Sequence, residues 1–292
     1  MKTRVLTRNV IGALVLMSLC IGGYFLYDRG RPAPVPMKQK LYEGVTYLRV
    51  IRLFPRPMIA HVLIIDTKKK GIEFFITPPD SQGEMPLKAR TTTQFLEDFD
   101  VQVAINGGGF SPWWSRSPAD YYPHVGDPIA PSGFTASNGD VYWTTSDTEG
   151  TPPALYISRR NALSFNNKPN RIHSAISGDR MIVLKGEVAP DLDDPNVEPR
   201  TAIGINRNGR YLYLIVVDGR QPFYSEGATF TELAELFIEQ GAFMAMSLDG
   251  GGSSTMVIEG NHGRPKILNS PIDHYIPGTE RPVGTHFGIY VK

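Results

Sequence analysis

Two stretches of this chain drive a β-strand straight into three consecutive glycines, and any fold must give those glycines somewhere to go. The first is the buried strand Val101-Gln102-Val103-Ala104-Ile105, which runs into Asn106-Gly107-Gly108-Gly109-Phe110. The second is Met244 to Leu248, which runs into Asp249-Gly250-Gly251-Gly252-Ser253-Ser254-Thr255. Glycine loses more conformational freedom on folding than any other residue, so a triple stands where backbone turns sharply or approaches something closely. The second run lacks the Gly-Lys-Ser/Thr ending of a phosphate-cradling P-loop and the Gly-x-Ser-x-Gly of a serine-hydrolase elbow. A tight hairpin with a solvated aspartate is the plain alternative for one such loop. Two of them are harder to dismiss as chance hairpins.

The amino-terminal end obeys a different solvent. Asn9 to Tyr27 is uncharged and mostly apolar, 19 residues between Arg8 and Arg29, with Tyr24, Phe25 and Tyr27 at its far end. A bilayer core needs roughly 17–25 helical residues, and aromatic residues gather at its interfaces. A cleaved signal peptide is the rival, but no clear A-x-A site follows, and Leu19 before Cys20 fits a lipoprotein box poorly. The expectation is a cytoplasmic tail over 1–8, a transmembrane anchor over 9–27 and a proline-rich linker over 28–40. Residues 41–292 then form one exported domain, in a single-pass protein of a bacterial envelope.

Charge excludes some partners. With 30 basic and 29 acidic residues in 292, nothing argues for nucleic acid. Residues 1–31 carry Lys2, Arg4, Arg8, Arg29 and Arg31 against Asp28, so the body beyond them is mildly acidic. The single cysteine, Cys20, lies in the apolar run, and the body can form no internal disulfide.

Along the body, β-branched and aromatic runs at Val45–Leu53, Ile59–Asp66 and Ile72–Thr77 read as strands, and Thr91–Phe99 reads as a short helix. Ser111–Pro131 is aromatic, proline-rich and too irregular for a strand; its Trp113, Trp114, Tyr121 and Tyr122 suit stacking on sugar rings or half-buried packing. Arg200–Ile205 and Tyr211–Val217 form a hairpin through Asn208-Gly209. Thr229-Phe230-Thr231-Glu232 is a capping box opening a helix. His286–Val291 is a closing strand. The fold class that follows is α+β: a large mixed or antiparallel β-sheet system with a few helices, preceded by one transmembrane helix.

Asn106, Asp218 and Asp249 all stand at strand ends beside glycines, and Arg200, Arg220 and Arg281 can gather near them. Carboxylates serve as acid, base or nucleophile at a glycosidic carbon, while arginines grip phosphate oxygens bidentately. Glycine loops let backbone N–H groups approach an anion. Together these suit a substrate carrying both a sugar and a phosphodiester. The bland reading is that the arginines pair with surface acids. Asp218, Asp249 and loop carbonyls would also suit a calcium or magnesium ion. Asp191–Asn196 is a looser cation loop without an EF-hand's glycine and glutamate. The six histidines are too scattered for a transition-metal site.

The order of motifs resembles the phosphodiester glycosidase family. Ala104–Phe110, Arg200-Thr201-Ala202-Ile203-Gly204, Val217-Asp218-Gly219-Arg220, Ser225–Thr229, Leu248–Ser254 and Glu280-Arg281-Pro282-Val283 follow one another as in that family. The resemblance covers roughly residues 100–292 and implies hydrolysis between a sugar's anomeric carbon and a phosphodiester oxygen. Carried over residue by residue, it implies Asp249 as a catalytic carboxylate with Asp218 or Glu226 as partner. Arg200 and Arg220 then bind phosphate, while Asn106, Gly107, Asp179, Gly250, Gly251, Ser253, Ser254 and Arg281 shape the pocket. The chain departs from the family's animal members in lacking their cysteines and in carrying its apolar segment at the opposite end. That moves the expected substrate from mannose phosphate to a bacterial sugar-phosphate glycopolymer. The rivals are a noncatalytic carbohydrate-binding module serving exopolysaccharide assembly and a glycosidase of neutral sugars.

Overall fold

The computed structural model describes residues 2–32, 34–144, 151–192 and 195–292. Helix Lys2–Gly30 contains the apolar stretch Asn9–Tyr27, long and apolar enough to cross a membrane. The first strand, Met37–Tyr42, starts inside the segment expected to be a linker and pairs antiparallel with Val45–Arg52.

The body is built on two antiparallel sheets packed face to face with a helix on each outer side, and a further five-stranded antiparallel sheet, ordered Asp140–Trp143, Thr135–Ser137, Ser174–Ser177, Ala154–Ile157 and Leu163–Phe165, adds Leu155, Ile157, Phe165 and Ile176 to the same core. The larger sheet has eight strands in the spatial order Met37–Tyr42, Val45–Arg52, Met58–Asp66, Tyr211–Val217, Arg200–Ile205, Met244–Ser247, Arg180–Leu184 and Glu187–Val188. The second has five, ordered Pro265–Ile267, Met256–Glu259, Val103–Asn106, His286–Val291 and Ile72–Ile76. Alternation along a strand sends successive side chains to opposite faces. Leu212, Leu214 and Val216 therefore meet Val103, Ile105, Met256, Phe287 and Ile289 of the second sheet. Tyr213, Ile215 and Val217 meet Leu233, Ala234, Leu236 and Phe237 of helix Phe230–Glu239. Helix Thr92–Phe99 covers the second sheet's outer face, with Phe95 and Leu96 against Phe75, Ala104 and Val257.

Both helices open on complete capping boxes, Thr91 with Gln94 and Thr229 with Glu232. Such a cap is worth about 1 kcal/mol, which helps fix where each helix begins. The aromatic stretch expected to be irregular instead holds short strands, Trp114–Ser117 with Asp120–Tyr122 and Phe110–Ser111 with Pro128–Pro131. Each holds only a few residues, too few for a period-2 signal to emerge. Asp193 and Asp194 of the loose cation loop lie outside the described residues.

Candidate active site

Register brings the chemistry to one end of the larger sheet. Strand Met244–Ser247 is flanked by Arg200–Ile205 and Arg180–Leu184, with Ser247 opposite Ala202 on one side and Arg180 on the other. Leu248 N–H donates to the Thr201 carbonyl at 2.8 Å, and Asp179 N–H to that of Ser247 at 2.8 Å. Three neighbouring strand ends thus deliver Asp179, Arg200 and Asp249 to one edge.

The first glycine loop holds the second. Buried Asn106 donates its amide to the Asp249 carbonyl at 2.7 Å and accepts from the Thr201 hydroxyl at 2.8 Å and the Thr255 N–H at 3.2 Å. Asp249 N–H donates to the Gly107 carbonyl at 3.0 Å. Beyond Asp249 the chain makes one 3-10 turn, Gly251–Ser253. Gly251 is left-handed (φ 60°), and a Cβ there would sit 2.9 Å from the Arg220 guanidinium. A Cβ on Gly252 would lie 2.2 Å from the Asp273 carboxylate. Side chains are excluded from this loop because an ion pair and a guanidinium pass over it.

The Asp249 carboxylate accepts from Gly250 N–H at 2.9 Å and from the Ser253 hydroxyl at 2.6 Å. Part of the residue faces the cleft, but protein atoms crowd the carboxyl on its other sides. Desolvation pushes its pKa above the ordinary aspartate value. The Ser253 hydrogen bond, the Arg281 charge and the Gly250 N–H oppose that rise, and the charge of Asp179 adds to it.

The cleft around Asp249 has a volume of about 510 Å³ and includes Asp179, Glu198, Arg200, Arg220, Arg281 and Trp113 in its walls. Arg220 donates to Glu198 at 2.6 Å. Arg281 donates to Asp273 at 2.9 Å and reaches the Ser253 hydroxyl at 3.4 Å. Arg200 lies over the Phe230 ring at 3.8 Å, its Nε on the Ala228 carbonyl at 3.2 Å. Each guanidinium is therefore held in place before any ligand arrives. Trp113 is half exposed beside Arg281, whose Cζ is 5.0 Å from its ring. Trp114 stacks on Tyr122 and Tyr121 packs on His124 and His274 instead.

Asp218 and Glu226 stand elsewhere. Asp218 follows Val217 with the parity of Leu214 and Val216, so its side chain enters the layer between the sheets. There it accepts from Ser270 N–H at 2.6 Å and from Asn269 at 3.2 Å, and its other oxygen lies 3.0 Å from His61 Nε2. His61 Nδ1 is 2.8 Å from the Tyr47 hydroxyl. Asn269 also donates to the Ser254 carbonyl at 2.9 Å, so Asp218 supports the glycine loop from behind. Glu226 faces a second cavity, which it shares with Arg220 and Tyr275. Among the described residues, no group of three or more His, Cys, Asp or Glu side chains is placed to hold a metal ion. Both oxygens of Asp218 already have protein partners.

Sequence reasoning missed Glu198 and Asp273, the partners of Arg220 and Arg281. Neither stands at a glycine-flanked strand end. Glu198 lies in a loop just before Pro199-Arg200, and Asp273 in a two-residue strand.

An edge where carboxylates and braced guanidiniums share a glycine-lined cleft suits a hydrolase of charged glycosides. The chain belongs to the phosphodiester glycosidase family, whose family model matches residues 99–290. It is 37% identical over 221 residues to human N-acetylglucosamine-1-phosphodiester alpha-N-acetylglucosaminidase, an alignment covering 69% of this chain and 39% of the human protein. A prophage-derived Bacillus subtilis protein is 44% identical over 91 residues, covering 31% of this chain and 12% of that one. The chain therefore spans well under half the length of these relatives. The catalytic domain of the zebrafish N-acetylglucosamine-1-phosphodiester enzyme shares the fold, with TM-score 0.59 and 20% identity, over 90% of this chain and 86% of that one. A Burkholderia pseudomallei exported protein does so at TM-score 0.56 and 15% identity, over 80% and 74%.

Proposed function

We propose that this chain hydrolyses the bond between a sugar's anomeric carbon and a phosphodiester oxygen, on a substrate of the bacterial cell envelope. One observation carries the reading: a single cleft is walled by Asp249 and by three arginines, each braced by its own partners. The reaction breaks the C1–O bond; water supplies hydroxyl to C1, and the phosphate leaves as a monoester. A phosphate monoester is a weak base, so its departure needs charge stabilisation more than a proton. Arg200, Arg220 and Arg281 supply that stabilisation.

Asp249 then acts at the carbon as the anion that takes the proton from attacking water. Its two donors hold the carboxylate in one orientation, and the raised pKa makes it a better base than an ordinary aspartate. Glu198 and Asp179 are the cleft's other carboxylates and the candidates for a partner; Asp218 keeps a positioning role. Trp113 offers a face for the sugar ring. The apolar helix over 9–27 anchors the domain outside the cytoplasmic membrane.

The test is turnover of an alkyl-phosphoryl N-acetylglucosamine by wild type and Asp249→Asn. The expected result is a rate loss of about 10³-fold, with binding of the substrate retained. Binding without turnover by the wild type would instead identify a carbohydrate-binding module.

A further inference from the structure

The cleft does not end at Arg220. Its guanidinium also forms part of the wall of a second cavity of about 670 Å³, lined by Tyr24, Phe25, Val197, Gln221, Pro222, Glu226 and Tyr275. Apart from Arg220, Gln221 and Glu226, these residues are apolar or aromatic. Arg220 is itself left-handed (φ 59°), its N–H on the Glu226 carbonyl at 3.0 Å, and its Cζ lies 5.2 Å from the Tyr275 ring. One side chain thus separates a charged chamber from an apolar one.

Two walls of the apolar chamber come from the apolar helix. Tyr24 and Phe25 belong to the last turn of the stretch Asn9–Tyr27, where aromatic residues mark the boundary between hydrocarbon and headgroups. The helix end is fastened to the loop below Arg220. Phe25 meets Phe223 edge-on with ring centroids 5.9 Å apart, Arg31 lies 3.5 Å over the Tyr224 ring, and Arg31 also bonds to Gln221 and Ser270. If Asn9–Tyr27 spans the bilayer, the chamber opens at the depth of the lipid headgroups. Phe223 and Tyr275 stay exposed beside it, 55% and 68%.

We propose that this chamber receives the hydrocarbon chain of the leaving group, so that the substrate is a membrane lipid whose alcohol is joined through a phosphodiester to the sugar. This rests on the reading of the cleft given above and names its aglycone. Water cleaves C1–O, the sugar leaves as its free hemiacetal, and the lipid keeps the phosphate as a monoester. Arg220 sits where the phosphate must lie, between the sugar at Asp249 and the chain at Phe25 and Tyr275. A soluble glycopolymer would leave the chamber's apolar walls facing water.

The experiment uses the full chain in nanodiscs and two substrates, the methyl and the octyl esters of N-acetylglucosamine 1-phosphate. The octyl ester adds seven methylenes and should show a kcat/KM at least about tenfold above the methyl ester, the factor that burying only two of them supplies. Phe25→Ala and Tyr275→Ala should each lower that ratio severalfold from its wild-type value, with methyl-ester turnover reporting that the variant is folded. Partition of the octyl chain into lipid raises the ratio in wild type and variants alike, so the ratio's dependence on these two residues is the deciding quantity. Equal ratios in wild type and variants overturn the lipid assignment while leaving the hydrolase reading intact. Turnover of neither ester by the wild type overturns both.

Discussion

Asn106 donates its side-chain amide to the backbone oxygen of Asp249 at 2.7 Å, so the lead residue of one glycine loop holds the lead residue of the other. The two belong to different sheets. The clamp therefore ties the sheet that carries Asp249 to its neighbour at the mouth of the cleft. Asn106→Ala leaves buried donors and acceptors on Thr201, Thr255 and Asp249 without partners, at about 1–3 kcal/mol for each group left unpaired. The expected outcome is a loss of about 3 kcal/mol in urea unfolding and a fall in kcat larger than the change in KM. Wild-type stability in this variant would show that the clamp is dispensable.

The raised pKa of Asp249 sets the pH profile. The base must be ionised, so activity should rise with pH through the native pKa of Asp249. Because burial lifts that pKa, the acid limb of log kcat/KM should lie above the ordinary carboxylate range. Rates measured from acid to neutral pH decide the sign. A profile that falls as pH rises through this range assigns Asp249 as the proton donor instead.

Asp218 and Asp249 should separate on substitution. Asp218→Asn replaces a carboxyl oxygen with an amide between the sheets, where His61, Asn269 and Ser270 surround it. It should lower the unfolding midpoint while keeping a measurable fraction of turnover, whereas Asp249→Asn should do the reverse. Comparable rate losses of about 10³-fold in both variants would return Asp218 to the reacting centre.

Gly252→Ala tests the loop's lack of side chains. The new methyl would sit on the Asp273 carboxylate and beside the Arg281 guanidinium, 2.2 and 2.6 Å away. Displacing that pair should cost about 1–3 kcal/mol and raise KM by weakening the phosphate grip. An unchanged KM would mean that Arg281 does not touch the substrate.

His286 gives a stability signature separate from catalysis. Its imidazole is fully buried beside Thr77, and burial, aided by the nearby Arg90 charge, depresses its pKa from 6.5 to about 3. The unfolded chain therefore binds a proton that the native chain refuses. Stability should be unaffected by this group above about pH 6.5, and fall by about 1.4 kcal/mol per unit as pH drops from there toward about 3. Differences in unfolding free energy between wild type and His286→Gln across that window isolate the contribution. A difference that does not vary with pH would refute the buried neutral histidine.

Much of this architecture can be read from local chemistry. The hairpin Arg200–Ile205 with Tyr211–Val217, the closing strand His286–Val291 and both helices follow from apolar periodicity, an Asn-Gly turn and the capping box at Thr229. These signals are local, depending on residues within a turn or a strand length of one another. The glycine triples likewise announce a crowded place, because no other residue accepts such contacts.

What the order of residues could not decide is which polar strand ends face each other. Asp218 and Asp249 look alike in sequence, each at the end of an apolar strand and followed by glycine. Strand parity turns the first between the sheets, while register across three neighbouring strands sets the second in the cleft. Glu198 and Asp273 join the site only because chain folding carries them under Arg220 and Arg281. Strands, caps and tight turns arise from interactions between neighbours in sequence. The cleft arises from pairing between strands dozens of residues apart, and only the packed sheets specify that pairing.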